Sequence, residues 1–184
     1  MRAIGPFELQ HLIARGGMGE VWLARHAVQD VDVAVKLLPA DEDDRDRIAA
    51  FHVEARAIAS LDHPGIVLVF DYGEIPEEDA ERSEGQLTAG RPWIAMEYVD
   101  GGTLATVART ITWPETRRFL DATLDALAHA HARGVVHCDL KIDNVLYATR
   151  VDQRPGLKLC DFGIALVKDE TRVTRAGFAM GSLP

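Results

Sequence analysis

The residues best suited to chemistry lie in His137-Cys138-Asp139-Leu140-Lys141-Ile142-Asp143-Asn144 and in Asp161-Phe162-Gly163. Between them, Val145, Leu146 and Tyr147 read as an apolar strand, Arg154-Pro155-Gly156 as part of a turn, and Leu157 to Cys160 as the returning strand. An antiparallel pair brings its open ends together, with strands about 5 Å apart. Asn144 and Asp161 should therefore stand side by side. An amide oxygen and a carboxylate so placed suit magnesium, which keeps several waters and takes only one or two carboxylates beside a phosphate. Asp139, a few residues earlier, is positioned to receive a proton.

Those groups need a framework. Phe7, Leu9, His11 and Ile13 alternate with polar neighbours as a strand, a glycine turn follows, and Val21-Trp22-Leu23-Ala24 begins the next strand. A third strand, Asp32 to Leu38, leads through Asp41-Glu42-Asp43-Asp44 into a helix with Phe51, Ala55, Ile58 and Leu61 at helical spacing, which stops before His63-Pro64-Gly65. Ile66 to Tyr72 and Pro92 to Met96 read as strands, separated by an acidic stretch expected to be a mobile surface insertion. After Gly101-Gly102 the pattern turns helical. Thr112-Trp113-Pro114-Glu115 reads as a capping box, Leu120, Leu124, Leu127 and His131 share one helix face, and Gly134 suits the helix end.

Composition narrows the class. A chain of 184 residues with 47% hydrophobic side chains can bury a core. Two cysteines are too few for a disulfide framework, and no apolar run reads as a signal peptide or membrane span, so a reducing cytoplasm is expected. A net charge of -9 argues against non-specific nucleic-acid binding.

Gly16-Gly17-Met18-Gly19 ahead of Val21, Val33-Ala34-Val35-Lys36, Glu54, His137 to Asn144, and Asp161-Phe162-Gly163 occur in the order glycine-rich loop, strand lysine, helix acid, catalytic loop and Asp-Phe-Gly element. From Phe7 to Pro184 the chain thus resembles the eukaryotic-like serine/threonine protein kinases, truncated within the activation segment. The resemblance implies an α+β, bilobal fold: a small antiparallel β lobe with one helix over residues 1–99, and an incomplete, mainly helical lobe over 100–184. It implies ATP and Mg2+ as cofactors, and phosphoryl transfer to serine or threonine hydroxyls of a protein substrate.

Residue by residue, the resemblance makes Asp139 the proton acceptor, Lys141 a charge near the γ-phosphate, Lys36 a phosphate contact anchored by Glu54, and Asn144 with Asp161 the metal ligands. Gly16, Gly17 and Gly19 would approach phosphate, with Ala14 at the first glycine position and a stiffer loop as the consequence. Ile13, Val21, Ala34 and Leu146 would line the adenine slot behind Met96, and the Glu97 carbonyl and Val99 amide would face the base. Cys138 stands where the family has arginine and Ile142 where proline is common, so the usual clamp for a phosphorylated activation loop is missing. Thr174, ahead of Thr171, is the candidate phosphorylation site, while Cys138 and Cys160 are expected to be buried packing groups. Exposed apolar surface should favour self-association, further domains are expected beyond Pro184, and a nucleotide-binding scaffold without phosphotransfer is the alternative reading.

Overall fold

The computed structural model describes residues 2–17, 19–39, 45–107, 111–149 and 156–162. Strands β1 (Ala3–Ile4), β2 (Phe7–Gly16), β3 (Gly19–His26), β4 (Val31–Leu37), β5 (Val69–Glu74) and β6 (Pro92–Glu97) form one antiparallel sheet in the order β1-β2-β3-β4-β6-β5. Alternation along β4 divides its side chains between two cores. Val33, Val35 and Leu37 join Phe7, Trp22 and Trp93 on the outer face, while Ala34 joins the inner core between sheet and helices.

The alternation expected of β2 holds only at its start. Phe7 and Leu9 are buried, but register shifts between Leu9 and His11 and between Leu12 and Ala14 turn the strand, leaving His11 and Ile13 exposed. The strand expected from Ile66 starts later, at Val69. Ile66 bridges Leu159 in parallel, and the Leu159 carbonyl accepts the Val67 N–H at 2.9 Å, so this part of the chain pairs across to the second lobe.

Helix α1 (Arg45–Ala59) buries Phe51, Ala55 and Ile58, and Leu61 follows just beyond its end. The acidic stretch is a docked cap, which corrects its reading as a mobile insertion. Helix α2 (Glu77–Arg82) turns the Asp79 carboxylate inward, where it accepts the Gly5 N–H at 2.9 Å and pairs with Arg82 at 2.6 Å. Ser83, fully buried, accepts the Leu87 N–H at 2.9 Å, and Ile75 and Leu87 complete the outer core.

Helix α3 (Leu104–Val107) is short, and α4 (Trp113–His131) opens with Glu115 accepting both the N–H and the hydroxyl of Thr112 at 2.7 Å. Its inward face is not the predicted one. Ala126 and Ala130 are buried, Phe119 and Leu127 pack against the inner core, and Leu120 and Leu124 point outward at 56% and 54% exposure. Small alanines let α4 approach the hairpin closely, and the leucines rotate away. Gly134 (φ 75°) then closes the helix, with the Val135 N–H donating to Ala130 at 3.0 Å. Strands β7 (Val145–Ala148) and β8 (Gly156–Leu159) form the second, two-stranded sheet.

Candidate active site

Pairing of Val145 with Leu159 closes the base of the β7–β8 hairpin, and the Cys160 N–H donates to the Asn144 carbonyl at 3.0 Å. Asn144 and Asp161 are thereby brought to adjoining backbone positions. A 3-10 turn, Ile142–Asn144, sets the Asn144 amide so that Nδ2 donates to the Asp139 carbonyl at 2.9 Å and to Asp139 Oδ2 at 3.0 Å. With Nδ2 turned to Asp139, Oδ1 is the side-chain atom left to face a cation. Lys141 Nζ donates to the same Asp139 Oδ2 at 2.8 Å. That bond holds the Asp139 carboxyl below its ordinary range and raises Lys141 above its own.

Lys36 comes from β4, buried at 4% exposure, and its Nζ lies 2.7 Å from Asp161 Oδ1. The expected anchor differs. Among the described residues no bond joins Lys36 to Glu54: Asp161 holds the ammonium, and Glu54 Oε2 is buried with no partner. Burial pushes the Glu54 carboxyl up, as it must for an acid without a cation beside it. Asp161 (φ 56°) and Cys138 (φ 59°) both occupy left-handed backbone, a strained conformation for residues other than glycine.

The glycines separate by role. A Cβ on Gly16 or Gly17 would meet nothing within 4 Å, leaving open space for a ligand, whereas a Cβ on Gly19 (φ 109°) would lie 2.0 Å from the Leu37 carbonyl oxygen. Gly19 is thus required by strand packing. Ala14 pairs with Val21 across the loop. Val21 and Leu146 pack on the inner core beside Ala34, Met96 and Val99, while Ile13 remains 46% exposed at the edge of that cleft.

Sequence reasoning missed two positions. Gly101 is required because a Cβ there would sit 2.1 Å from the Tyr147 carbonyl oxygen, joining the segment after β6 to β7. Lys158 is buried at 1% exposure and grips Glu97; its place between Leu157 and Leu159 in a short apolar strand is the signal that marked it. Cys160 is buried, its thiol pushed up by desolvation, but Cys138 is exposed, contrary to expectation, because its left-handed backbone turns it outward. His137 is buried and packs on Phe162 with ring centroids 4.5 Å apart. Met18, Gly163, Thr171, Thr174 and residues 180–184 lie outside the described residues.

Among the described residues, no cluster of three or more His, Cys, Asp or Glu side chains is arranged to hold a metal, and no helix is long and apolar enough to cross a membrane. The protein kinase domain family matches residues 7–177. The chain is 34% identical over 99% of its length to the serine/threonine-protein kinase PrkC of Bacillus subtilis, of which it spans 26%. It is 39% identical over 97% of its length to the serine/threonine-protein kinase PknA of Mycobacterium tuberculosis, spanning 39% of that protein. The crystal structure of the Mycobacterium tuberculosis PknI kinase domain superposes with a TM-score of 0.70 at 31% identity, covering 89% of this chain and 62% of that one.

Proposed function

From the premise that the chain belongs to the protein kinase domain family, we propose that it carries the nucleotide-binding and catalytic-loop portion of a serine/threonine protein kinase. The reaction is transfer of the ATP γ-phosphoryl group to a serine or threonine hydroxyl of a protein substrate. One observation carries this reading: Lys36 and Asp161, distant in sequence, meet at 2.7 Å in the cleft where Asn144 and Lys141 converge on Asp139. On this reading residues 1–99 are the nucleotide lobe and 100–184 belong to the catalytic lobe.

The donor set suits magnesium. Asn144 Oδ1 and the Asp161 carboxylate are hard oxygens at adjoining positions, and too few to dispense with water or phosphate ligands. Bound magnesium would neutralise charge on the phosphate oxygens. The chain's own groups do the rest. Lys36 binds phosphate once released from Asp161, and Glu54, now unpartnered, is the acid that then receives the ammonium. Gly16 and Gly17 leave room for phosphate beside backbone amides, and the apolar wall from Ala34 to Leu146 takes the adenine, with the Glu97 carbonyl and Val99 amide at its edge. Asp139, kept ionised by Lys141, orients the acceptor hydroxyl and takes its proton, while Lys141 offsets charge on the transferring group.

A second reading, a nucleotide-binding scaffold without transfer, draws on the unformed Lys36–Glu54 pair and on Cys138. Transfer of label from γ-labelled ATP to a peptide, assayed on this chain and on the longest natural form, separates the two. We expect transfer by the natural form and none after Lys36→Met or Asp161→Ala. Full turnover by either variant would overturn the assignment, and magnesium-dependent binding without transfer would favour the scaffold. A cytoplasmic location is proposed with this activity.

A further inference from the structure

The geometry points to Glu97 and Lys158 as positioning residues that lock the nucleotide-binding edge of one lobe to the metal-binding Asp161 of the other. The inference deepens the nucleotide reading above and rests on it. Alternation along β6 sends Ile94 and Met96 to the inner core, and Trp93 and Ala95 to the outer one. Glu97 follows Trp93 and Ala95, so its carboxylate faces away from the cleft that its backbone borders. In β8, Leu157 and Leu159 enter the inner core and Lys158 takes the opposite face, yet its exposure is 1%.

There Lys158 Nζ reaches both carboxylate oxygens of Glu97, at 2.9 and 3.0 Å. The Glu97 carboxylate also accepts the Leu68 N–H at 3.4 Å, and the Glu97 N–H donates to the Leu68 carbonyl at 2.8 Å. One charge pair, its lysine buried and its glutamate largely so, therefore ties together β6, the segment before β5, and β8. Neither charge has a part in phosphoryl transfer. An apolar pair of similar volume would serve stability as well, since burying two ions costs about as much as their attraction returns. What an apolar pair would lack is a directional, two-point connection. From Lys158 the chain runs through Leu159, paired to Val145 and Gly65, directly to Cys160 and Asp161. A shift of the β6 end is thus carried to the carboxylate that holds Lys36. The pair borders a cavity of about 640 Å³, which leaves room for a guanidinium in place of the ammonium.

The test measures MgADP and adenosine affinity by calorimetry on the full chain, with melting temperature alongside. Lys158→Met should weaken MgADP binding by about tenfold or more, and Lys158→Arg should stay within about threefold of the parent. The double variant Lys158→Met with Glu97→Leu removes the lone buried charge, so it should regain melting temperature while its MgADP affinity stays about tenfold low. A double variant that binds MgADP like the parent would reduce the pair to a packing device and overturn the inference. Absence of MgADP binding by the parent chain would instead overturn the nucleotide reading, and this inference with it.

Discussion

At the scale of single residues, the cleft is organised by competition for one ammonium. Lys36 bonds Asp161 and leaves Glu54 half-buried without a cation, and that desolvation raises the Glu54 pKa above its ordinary value of 4.5. The sign follows directly. Above pH 4.5 the unfolded chain loses the Glu54 proton first, so the folded state binds more protons and stability falls as pH rises through the raised value. Glu54→Gln removes that penalty, and its melting temperature should match the parent at pH 4 and exceed it by about 1–3 °C at pH 7. Phosphotransfer should fall in the same variant, because glutamine cannot take over the lysine. The glycines permit a second contrast. Gly17→Ala should unfold in urea within about 0.5 kcal/mol of the parent, whereas Gly19→Ala, which drives a methyl into the Leu37 carbonyl, should lose more than about 2 kcal/mol. The motif residues were legible because each chemical role demands one residue type at one spacing. Lys158 was passed over, since a lysine in a strand ordinarily marks a solvated edge, although the leucines on either side of it hint at the burial that packing shows.

At the scale of elements, strands and helices followed hydrophobic period wherever one face alone is buried. α1 is such a case, and in β4, buried on both faces, the same alternation sorted Ala34 from Val33 and Val35. β2 and α4 were not so readable. Bulges carry β2 out of the core after Leu9, and α4 turns Ala126 and Ala130 rather than Leu120 and Leu124 to the core, because close approach to the hairpin favours small side chains. The α2 cap escaped for a different reason: its surface is acidic, Ile75 and Leu87 are too far apart to show a period, and its remaining buried contacts are polar. Asp79 serves both Gly5 and Arg82 there. Asp79→Ala should therefore cost about 1–3 kcal/mol in urea unfolding, leaving a backbone donor unpaired, with nucleotide binding at 20 °C unchanged.

At the scale of the whole molecule, the inner core runs continuously from the sheet through α1 and α4 to the hairpin, so the two lobes share one apolar body. Its outer side is less complete. Trp113, Leu120, Leu124, Val136, Leu140 and Ile142 stand exposed on the second lobe. Sedimentation velocity should show concentration-dependent association of this chain, reduced by Leu120→Glu with Leu124→Glu; a monomer at every concentration would contradict this expectation. The sequence by itself determined the family, the order of the lobes and the identities of the polar groups, because these depend on local spacing and on side-chain chemistry. Only the tertiary structure decided which carboxylate holds Lys36, that Lys158 grips Glu97, and which face of α4 is buried. Such choices are made among alternatives of similar local energy, and they are settled by which distant segments the fold brings within a few ångströms.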